Sequence, residues 1–314
     1  MPDWLAEQGI GETRYALVED GEIVAARITL DGTVRAGTLL EAQIRQVARP
    51  TIAVAAGQEY LLPCGAPGLT EGATATIEVT REAIPGGEPW KRPLARLARD
   101  PQAPGDERSP RAIPFPSPLD RLQSAGWWDL LDEARTGAVR FAGGELRLSP
   151  TPAMTLIDVD GYLPAKELAL AGAAAAARSI RRLDIGGSIG IDLPTIAGKA
   201  ERQAIGEAVD EILPGPFERT AVNGFGFMQI VRQRRRASLL ELAQDRASFE
   251  ARDLLRRAAF APPGAKRLVA HPAVVSYLET QPGWLAAIAA QVGGGISLRS
   301  DPSLPMSGGY AEQA

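Results

Sequence analysis

Two aspartates that follow apolar runs are the residues of this sequence best placed for metal chemistry. Asp158 lies near the end of the apolar run at residues 154–159, and Asp160 lies two residues beyond Asp158. Asp192 follows a second apolar run at residues 188–191. If the two runs are adjacent strands, Asp158 and Asp192 lie together at the carboxyl ends, where open α/β sheets bind ligands. Two or three carboxylates at such an edge suit a hard divalent cation such as magnesium.

The stretch between these aspartates has the pattern of a strand–helix–strand unit. The length of the run 154–159 predicts a strand buried on both faces of a sheet. Residues 164–182 are rich in alanine, which predicts a helix, and Gly186 and Gly187 are expected to end it. A plainer interpretation stays open, because an aspartate after a buried strand is often only a turn or capping residue.

Three motifs in this region resemble the ribonuclease E/G family. They are IDVDGY at residues 157–162, RRLDIGGSIGID at residues 181–192 and GFGFMQIVRQRRR at residues 224–236. The corresponding family segments read IDVNS, GGxIxIDF and RFGLxxxxRQR, in the same order and at similar spacing. The family's asparagine is replaced here by Asp160, which adds a negative charge.

The resemblance implies a magnesium-dependent endoribonuclease that hydrolyses single-stranded RNA. Asp158 and Asp192 match the family's catalytic magnesium ligands, and Asp160 is a further candidate ligand. The ion is expected to activate a water and to stabilise charge on the phosphodiester. Manganese is the alternative ion, and no zinc is expected.

Basic residues flank the carboxylate segment in sequence. Arg182 ends the predicted helix, and Arg232, Arg234 and Arg235 belong to one cluster. Such clusters are usually solvated faces, but their position beside the carboxylates favours contact with RNA phosphates.

The composition is that of a globular protein and restricts the classes of site. The 314 residues are 45% hydrophobic and 23% charged, and the net charge of −4 argues against a generally basic nucleic-acid-binding protein. The single Cys64 excludes an internal disulfide or a multi-cysteine zinc site, and the single His271 is interpreted as structural. No signal peptide or membrane span is indicated, so the cytoplasm is the expected location.

We expect an α/β fold of mixed character with five segments. They are an opening hairpin of the core at 1–32, an inserted OB-type barrel at 33–97, a linker at 98–118, a magnesium-binding core at 119–237 and a small C-terminal α/β domain at 238–314. The barrel is expected from short strands separated by glycine and proline. Within it Tyr60 is the candidate base-stacking residue, and Arg81 and Lys91 are candidates for phosphate contacts. A barrel that no longer reads bases is the alternative.

Periodicity predicts the remaining elements. They are a turn at 19–21, helices at 119–134, 199–213 and 239–260, a hairpin at 138–148, a strand at 220–225, and an αβαβ tail. The stretch between Leu97 and Trp127 is too short for the family's sensor of five-prime monophosphates, and the family's zinc-link cysteines are lacking. We therefore expect no response to a five-prime monophosphate and no zinc-linked dimer, while the oligomeric state stays open.

Two rival functions remain open. One is a catalytically weak or inactive RNA-binding or regulatory relative of the same family. The other is a magnesium enzyme that acts on a nucleotide or phosphate ester, which would need an enclosed pocket instead of an open groove.

Overall fold

The structure is a computed structural model that describes residues 4–85, 91–98 and 110–314. The strands of these residues are, in chain order, β1 (Trp4–Gln8), β2 (Glu12–Glu19), β3 (Glu22–Leu30), β4 (Leu39–Gln46), β5 (Thr51–Ala55), β6 (Gln58–Leu62), β7 (Thr74–Arg81), β8 (Leu94–Leu97), β9 (Arg111–Ile113), β10 (Ala138–Phe141), β11 (Gly144–Pro150), β12 (Thr155–Gly161), β13 (Gly187–Asp192), β14 (Phe217–Arg219), β15 (Phe227–Arg232), β16 (Lys266–Ala270), β17 (Ile296–Ser300) and β18 (Tyr310–Gln313). The helices are α1 (Arg121–Ser124), α2 (Trp127–Thr136), α3 (Ala165–Arg182), α4 (Lys199–Ile212), α5 (Leu239–Leu242), α6 (Arg246–Phe260), α7 (Pro272–Glu279) and α8 (Pro282–Val292).

The chain divides into two compact units that do not follow the five expected segments. One unit joins Met1–Asp31, Pro110–Thr136 and Leu242–Ala314, and the other joins Gly32–Ser109 and Gly137–Glu241. The opening strands and the helices near residue 127 therefore belong with the C-terminal region instead of with the strands that carry the aspartates. Most of the expected linker, residues 99–109, lies outside the described residues.

The first unit contains a sheet ordered β3-β2-β1-β9 and a sheet ordered β17-β16-β18. The predicted turn between β2 and β3 is present, with Asp20 and Gly21 at φ 51° and 86°. Trp4–Gln8 forms β1, which pairs with β2 on one side and with β9 on the other.

A buried ion network ties α6 to the opening strands within this unit. Arg14 contacts Glu7 and Glu12 at 2.8 and 2.6 Å, and Arg256 contacts Glu7 and Asp120 at 2.9 and 2.6 Å. Both arginines are 1% exposed, so each depends on these partners to offset its lost hydration. The network explains why residues far apart in sequence form one unit, and its arginines have a structural role.

Several helical predictions for this unit need correction. The helix expected at 119–134 is two helices, α1 and α2, separated at Gly126, which adopts φ 92°. The helix expected at 239–260 is divided into α5 and α6. His271 is structural as predicted, since its Nδ1 accepts a hydrogen bond from the Ala273 amide at 3.2 Å and caps α7.

In the second unit, β4 to β8 form a closed five-stranded barrel, as the sequence predicts. Its order is β4-β5-β6-β8-β7, with β6 and β8 parallel, which is consistent with an OB-type barrel. Ile44, Leu62 and Ile77 fill its interior together with Tyr60.

The second unit also contains a six-stranded sheet ordered β10-β11-β12-β13-β15-β14. The parallel pair β12 and β13 is connected through α3, so the predicted strand–helix–strand unit is present. α3 packs against β11 and β12. Gly172 permits this close approach, because a Cβ at that position would lie 2.3 Å from Val159 Cγ1.

The other face of this sheet is exposed, which corrects the prediction that β12 is buried on both faces. Ile157 and Val159 are buried against the helical layer, whereas Leu156, Asp158 and Asp160 alternate with them and are exposed. The period-two pattern of a half-buried strand is already visible in the sequence Ile-Asp-Val-Asp.

Two boundaries in the second unit also differ from expectation. α3 ends at Arg182, before the predicted glycines, and Asp184 takes the left-handed conformation with φ 52°. The strand expected at 220–225 is a loop. There the Asn223 side chain accepts hydrogen bonds from the Phe225 and Phe227 amides at 2.9 and 3.0 Å, which favours a turn over a strand.

Candidate functional site

Asp158 and Asp192 lie side by side on the exposed face of the six-stranded sheet. They are direct partners in the register between β12 and β13, and neighbouring strands run about 4.8 Å apart. Because partners in a parallel pair project from the same face, both carboxylates reach the same region of solvent. Asp160 projects from that face two residues further along β12.

The electrostatic environment of Asp158 favours a cation. Neighbouring residues displace part of its water, and this desolvation is the main cause that raises the pKa of Asp158 above its ordinary value. The negative charges of Asp160 and Asp192 raise this pKa further, against a hydrogen bond from the Val159 backbone that lowers it. A bound cation would relieve this repulsion.

The candidate metal ligands are a pair of carboxylates and do not form a closed cage. Within the described ranges, no group of three or more His, Cys, Asp and Glu side chains is arranged to hold a metal ion. Magnesium fits two carboxylates, since it commonly keeps several waters and binds through one or two carboxylates together with substrate phosphates. The structure therefore brings Asp158 and Asp192 together as candidate ligands, and among the described residues it arranges no three-carboxylate group that includes Asp160.

An arginine that lies outside the three motifs borders this pair on β11. Arg147 is the direct partner of Asp158 and Glu145 is the partner of Asp160, so all four side chains project from the exposed face. Arg147 contacts Glu145 at 2.6 Å, and Arg140 on β10 lies 3.5 Å from the same carboxylate. The alternation in GELRLSP was the signal that would have identified Arg147, because Leu146 and Leu148 face the core.

Apolar side chains lie next to Asp158 and Asp192 on the side of β15. Phe227 on β15 is the partner of Asp192. Its ring lies over Gly190, where an added Cβ would come within 2.5 Å of the ring. Leu156, which is 38% exposed, also contacts the Gly190 position, so apolar surface lies directly beside the carboxylates.

The predicted RNA-binding arginines lie at the opposite end of β13. Arg232 is the partner of Gly187, the first residue of that strand, whereas Asp192 is its last residue. Five residues at about 3.3 Å each separate the two positions by about 17 Å. Arg182, at the end of α3, lies half-buried five residues before β13 and therefore at the same end. The structure thus groups these arginines with each other but not with the aspartates.

An open pocket of about 280 Å³ lies over the arginine cluster. It is lined by Asp184, Gly186, Gly215, Pro216, Arg232, Gln233, Arg234, Arg235 and Arg236. Three of the arginines have acidic partners: Arg232 and Arg236 lie 3.6 and 3.1 Å from Asp184, and Arg234 pairs with Glu241. Arg235 is exposed and donates to Gln233 at 3.1 Å, which leaves its charge the most accessible to an anion.

The barrel residue Arg81 joins this cluster. Burial is the main cause that lowers the pKa of Arg81, and the positive charge of Arg234 lowers it further. Arg81 donates to the Arg92 carbonyl at 2.9 Å, but among the described residues its Nε and the Nε of Arg234 have no hydrogen-bond partner. Two buried N–H donors beside excess positive charge favour anion binding.

Lys91 and Tyr60 are the two other residues of the barrel segment that the sequence predicts to bind RNA. Lys91 donates to the Pro152 carbonyl at 3.3 Å, and Pro152 precedes β12, so Lys91 also lies away from the aspartates. Tyr60 as a base-stacking residue is a wrong prediction. Its side chain is 1% exposed, in the barrel interior, and burial raises the pKa of its hydroxyl. Sequence alternation could not resolve this, because the barrel closes around Tyr60 through non-local strand pairing.

Neither the models of known protein families nor the sequences of curated proteins match this chain. The resemblance to the ribonuclease E/G family therefore stays a prediction that rests on the three motifs. Across residues 4–85, 91–98 and 110–314, no helix is both long and apolar enough to cross a membrane.

Proposed function

We propose that this protein is a magnesium-dependent endoribonuclease that hydrolyses single-stranded RNA. The observation that carries the proposal is the pairing of Asp158 with Asp192 on an exposed sheet face, at the residues that match the family's metal ligands. An exposed face accommodates a polymer, whereas an enzyme for small phosphate esters would be expected to enclose its substrate in a pocket.

In this proposal Asp158 and Asp192 hold the magnesium ion, which supplies electrostatic stabilisation of the charge that develops on the phosphate during hydrolysis. Strand pairing fixes the spacing of the two backbones, so Asp158 and Asp192 start as neighbours. Asp160 keeps the local charge negative and so favours retention of the cation. Arg147, on the neighbouring strand, is placed to contact a phosphate oxygen near the scissile bond.

The distant arginines contribute affinity for the RNA strand instead of chemistry. Arg81, Arg182, Arg232, Arg234, Arg235 and Lys91 would contact phosphates several nucleotides from the cleavage position. The separation of about 17 Å between Arg232 and Asp192 along β13 supports this division between binding and hydrolysis. Such contacts position the strand but read no sequence.

A non-enzymatic RNA-binding protein is the second candidate, and one observation favours it. The lining of the arginine pocket does not include Asp158 or Asp192, so under this alternative RNA binding would not require a metal. Under this alternative, substitution of Asp192 leaves every measured activity unchanged.

The test is cleavage of an end-labelled single-stranded RNA by the full chain, with magnesium and with EDTA. Asp192→Asn keeps the shape of the side chain but removes the charge that holds the ion. Glu218→Gln is the matched control, because Glu218 is exposed and opposite Val231 on the same sheet face. Loss of cleavage in Asp192→Asn but not in Glu218→Gln is expected, whereas equal cleavage by both variants would refute the proposal.

A further inference from the structure

Two aromatic side chains are exposed at the aspartate end of the six-stranded sheet. Tyr162 is 85% exposed and Phe225 is 84% exposed, more than any other large hydrophobic side chain in the described ranges. A single exposed aromatic residue needs no explanation, since much of a protein surface is apolar. Two at one edge, beside a candidate metal site, are a more specific observation.

The two aromatic residues are attached next to β12 and β15, the strands on either side of β13, which carries Asp192. Tyr162 follows the last residue of β12 and lies two residues beyond Asp160. Phe225 lies two residues before Phe227, which is the partner of Asp192. Tyr162 lies four residues beyond Asp158, which corresponds to about 13 Å along an extended strand. Phe225 is two residues from Phe227, which lies one strand spacing of about 5 Å from Asp192.

The backbone at Tyr162 is held in place while its ring projects into solvent. Its amide donates to the Gly143 carbonyl at 3.1 Å. The following residue, Leu163, packs over Gly143, where any Cβ would come within 2.2 Å of the leucine side chain. The position of the tyrosine is therefore set by the β10–β11 hairpin, not by burial of its own ring.

The loop that carries Phe225 is held in a comparable way. Asn223 Oδ1 accepts hydrogen bonds from the Phe225 and Phe227 amides, and Gly226 adopts φ 91°. A Cβ on Gly226 would lie 2.2 Å from the Leu193 carbonyl, so the loop packs tightly on the chain that leaves β13. A loop fixed this firmly holds the phenylalanine ring in one region of solvent, which lowers the entropy lost when a ligand stacks on it.

We propose that Tyr162 and Phe225 stack on unpaired bases of the RNA strand on either side of the scissile phosphate. This inference rests on the proposed function and specifies its substrate, since bases within a duplex are already stacked and cannot reach the rings. Aromatic stacking tolerates any base, so the rings would select for strand conformation and not for sequence. The acidic groups between the rings argue against an apolar protein partner, which would have to bury unpaired carboxylates.

The test measures equilibrium binding of a 2′-O-methyl RNA oligonucleotide and of an abasic oligomer of the same length, both with magnesium. Tyr162→Ala and Phe225→Ala should each weaken binding of the base-containing strand about tenfold and leave binding of the abasic strand unchanged. Tyr162→Phe and Phe225→Trp keep an aromatic ring, so these variants should retain most of the wild-type affinity for the base-containing strand. Leu119→Ala is the matched control, because Leu119 is a 62% exposed apolar side chain in the other unit.

Other results of these measurements would overturn the stacking inference. Wild-type affinity in both alanine variants, or an equal loss on the abasic strand, would overturn the stacking inference. Sedimentation of the same variants tests the alternative that the rings join two copies of the chain, and loss of a dimer in the alanine variants would also overturn it. Because the readout is binding, a failure of stacking is distinguishable from a failure of hydrolysis, which the Asp192→Asn cleavage assay measures separately.

Discussion

Asp158 lies directly opposite Asp192 in the parallel contact between β12 and β13, and both carboxylates project from the exposed face of the sheet. The two residues are 34 positions apart in the sequence, and the Ala-rich helix α3 between them covers the opposite face. Strand pairing alone therefore brings two carboxylates together at one place on the sheet.

The pH dependence of cleavage should change when the charge of Asp160 is removed. In the wild type the pKa of Asp158 is raised, so activity should be lost as the pH falls through that raised value. Asp160→Asn removes one cause of the shift, and the acidic limb of the pH–rate profile should move to lower pH. The shift should be partial, because burial, the main cause, remains. An acidic limb at the same pH in both proteins would contradict this.

The metal-free protein should become slightly more stable when Asp158 is neutralised. A carboxyl whose pKa is raised in the folded state destabilises that state once the pH is above both pKa values, and the effect vanishes below the unfolded value. Asp158→Asn should therefore increase the free energy of unfolding at pH 7 by up to about 0.5 kcal/mol, a small gain because the group is exposed and screened.

Urea denaturation in EDTA at pH 7 and at pH 3 would measure this change. The gain should be present at pH 7 and reduced at pH 3. Glu218→Gln, an exposed carboxylate on the same face, provides the baseline for a change of charge alone. A lower stability of Asp158→Asn than of the wild type at pH 7 would show that the carboxylate has a stabilising partner instead.

Arg235→Gln should weaken RNA binding without slowing hydrolysis of bound RNA. The side chain is the exposed member of the arginine pocket and lies far from the aspartates. Loss of one phosphate contact should reduce the slope of log K against log salt by about 0.7 for a single strand. Arg121→Gln removes the same charge from an exposed position in the other unit and should leave the slope unchanged. Equal effects of the two variants would indicate only a general loss of charge.

Gly172→Ala should destabilise the unit that carries the aspartates. The added methyl group would lie 2.3 Å from Val159 Cγ1, so α3 must move away from β12. Overpacking of this kind costs about 1–3 kcal/mol, which thermal or chemical unfolding would detect. Gly283→Ala is the matched control, since a Cβ at that helical position meets no atom within 4 Å. No difference between the two variants would mean that α3 does not approach the sheet as closely as described.

Local pattern was enough to predict much of this fold. The Ala-rich α3, the β2–β3 turn at Asp20–Gly21 and the five-stranded barrel all follow from propensity and spacing of turn residues. The adjacency of Asp158 and Asp192 was also predicted, because two short apolar strands joined by a helix generally pair in parallel.

Non-local pairing determines what the sequence did not predict. Arg232 lies within the motif at residues 224–236, yet β15 runs antiparallel to β13 and carries Arg232 to the end of the sheet far from Asp192. Tyr60 is in a strand with alternating pattern, but only closure of the barrel decides which residues face inward. Phe225 is exposed because Asn223 and Gly226 form a tight loop, a feature that was predicted as strand.

Replacement of Asp192 by cysteine tests whether this carboxylate holds the magnesium ion that the proposed hydrolysis needs. Cleavage of single-stranded RNA by Asp192→Cys should be lost in magnesium, which prefers oxygen ligands, and should return in part with manganese or cadmium, which accept a thiolate more readily. Glu218→Cys controls for the presence of a second thiol in addition to the exposed Cys64, and this variant should cleave normally in magnesium. Wild-type cleavage by Asp192→Cys in magnesium would contradict the account, because it would mean that Asp192 does not hold the ion needed for hydrolysis.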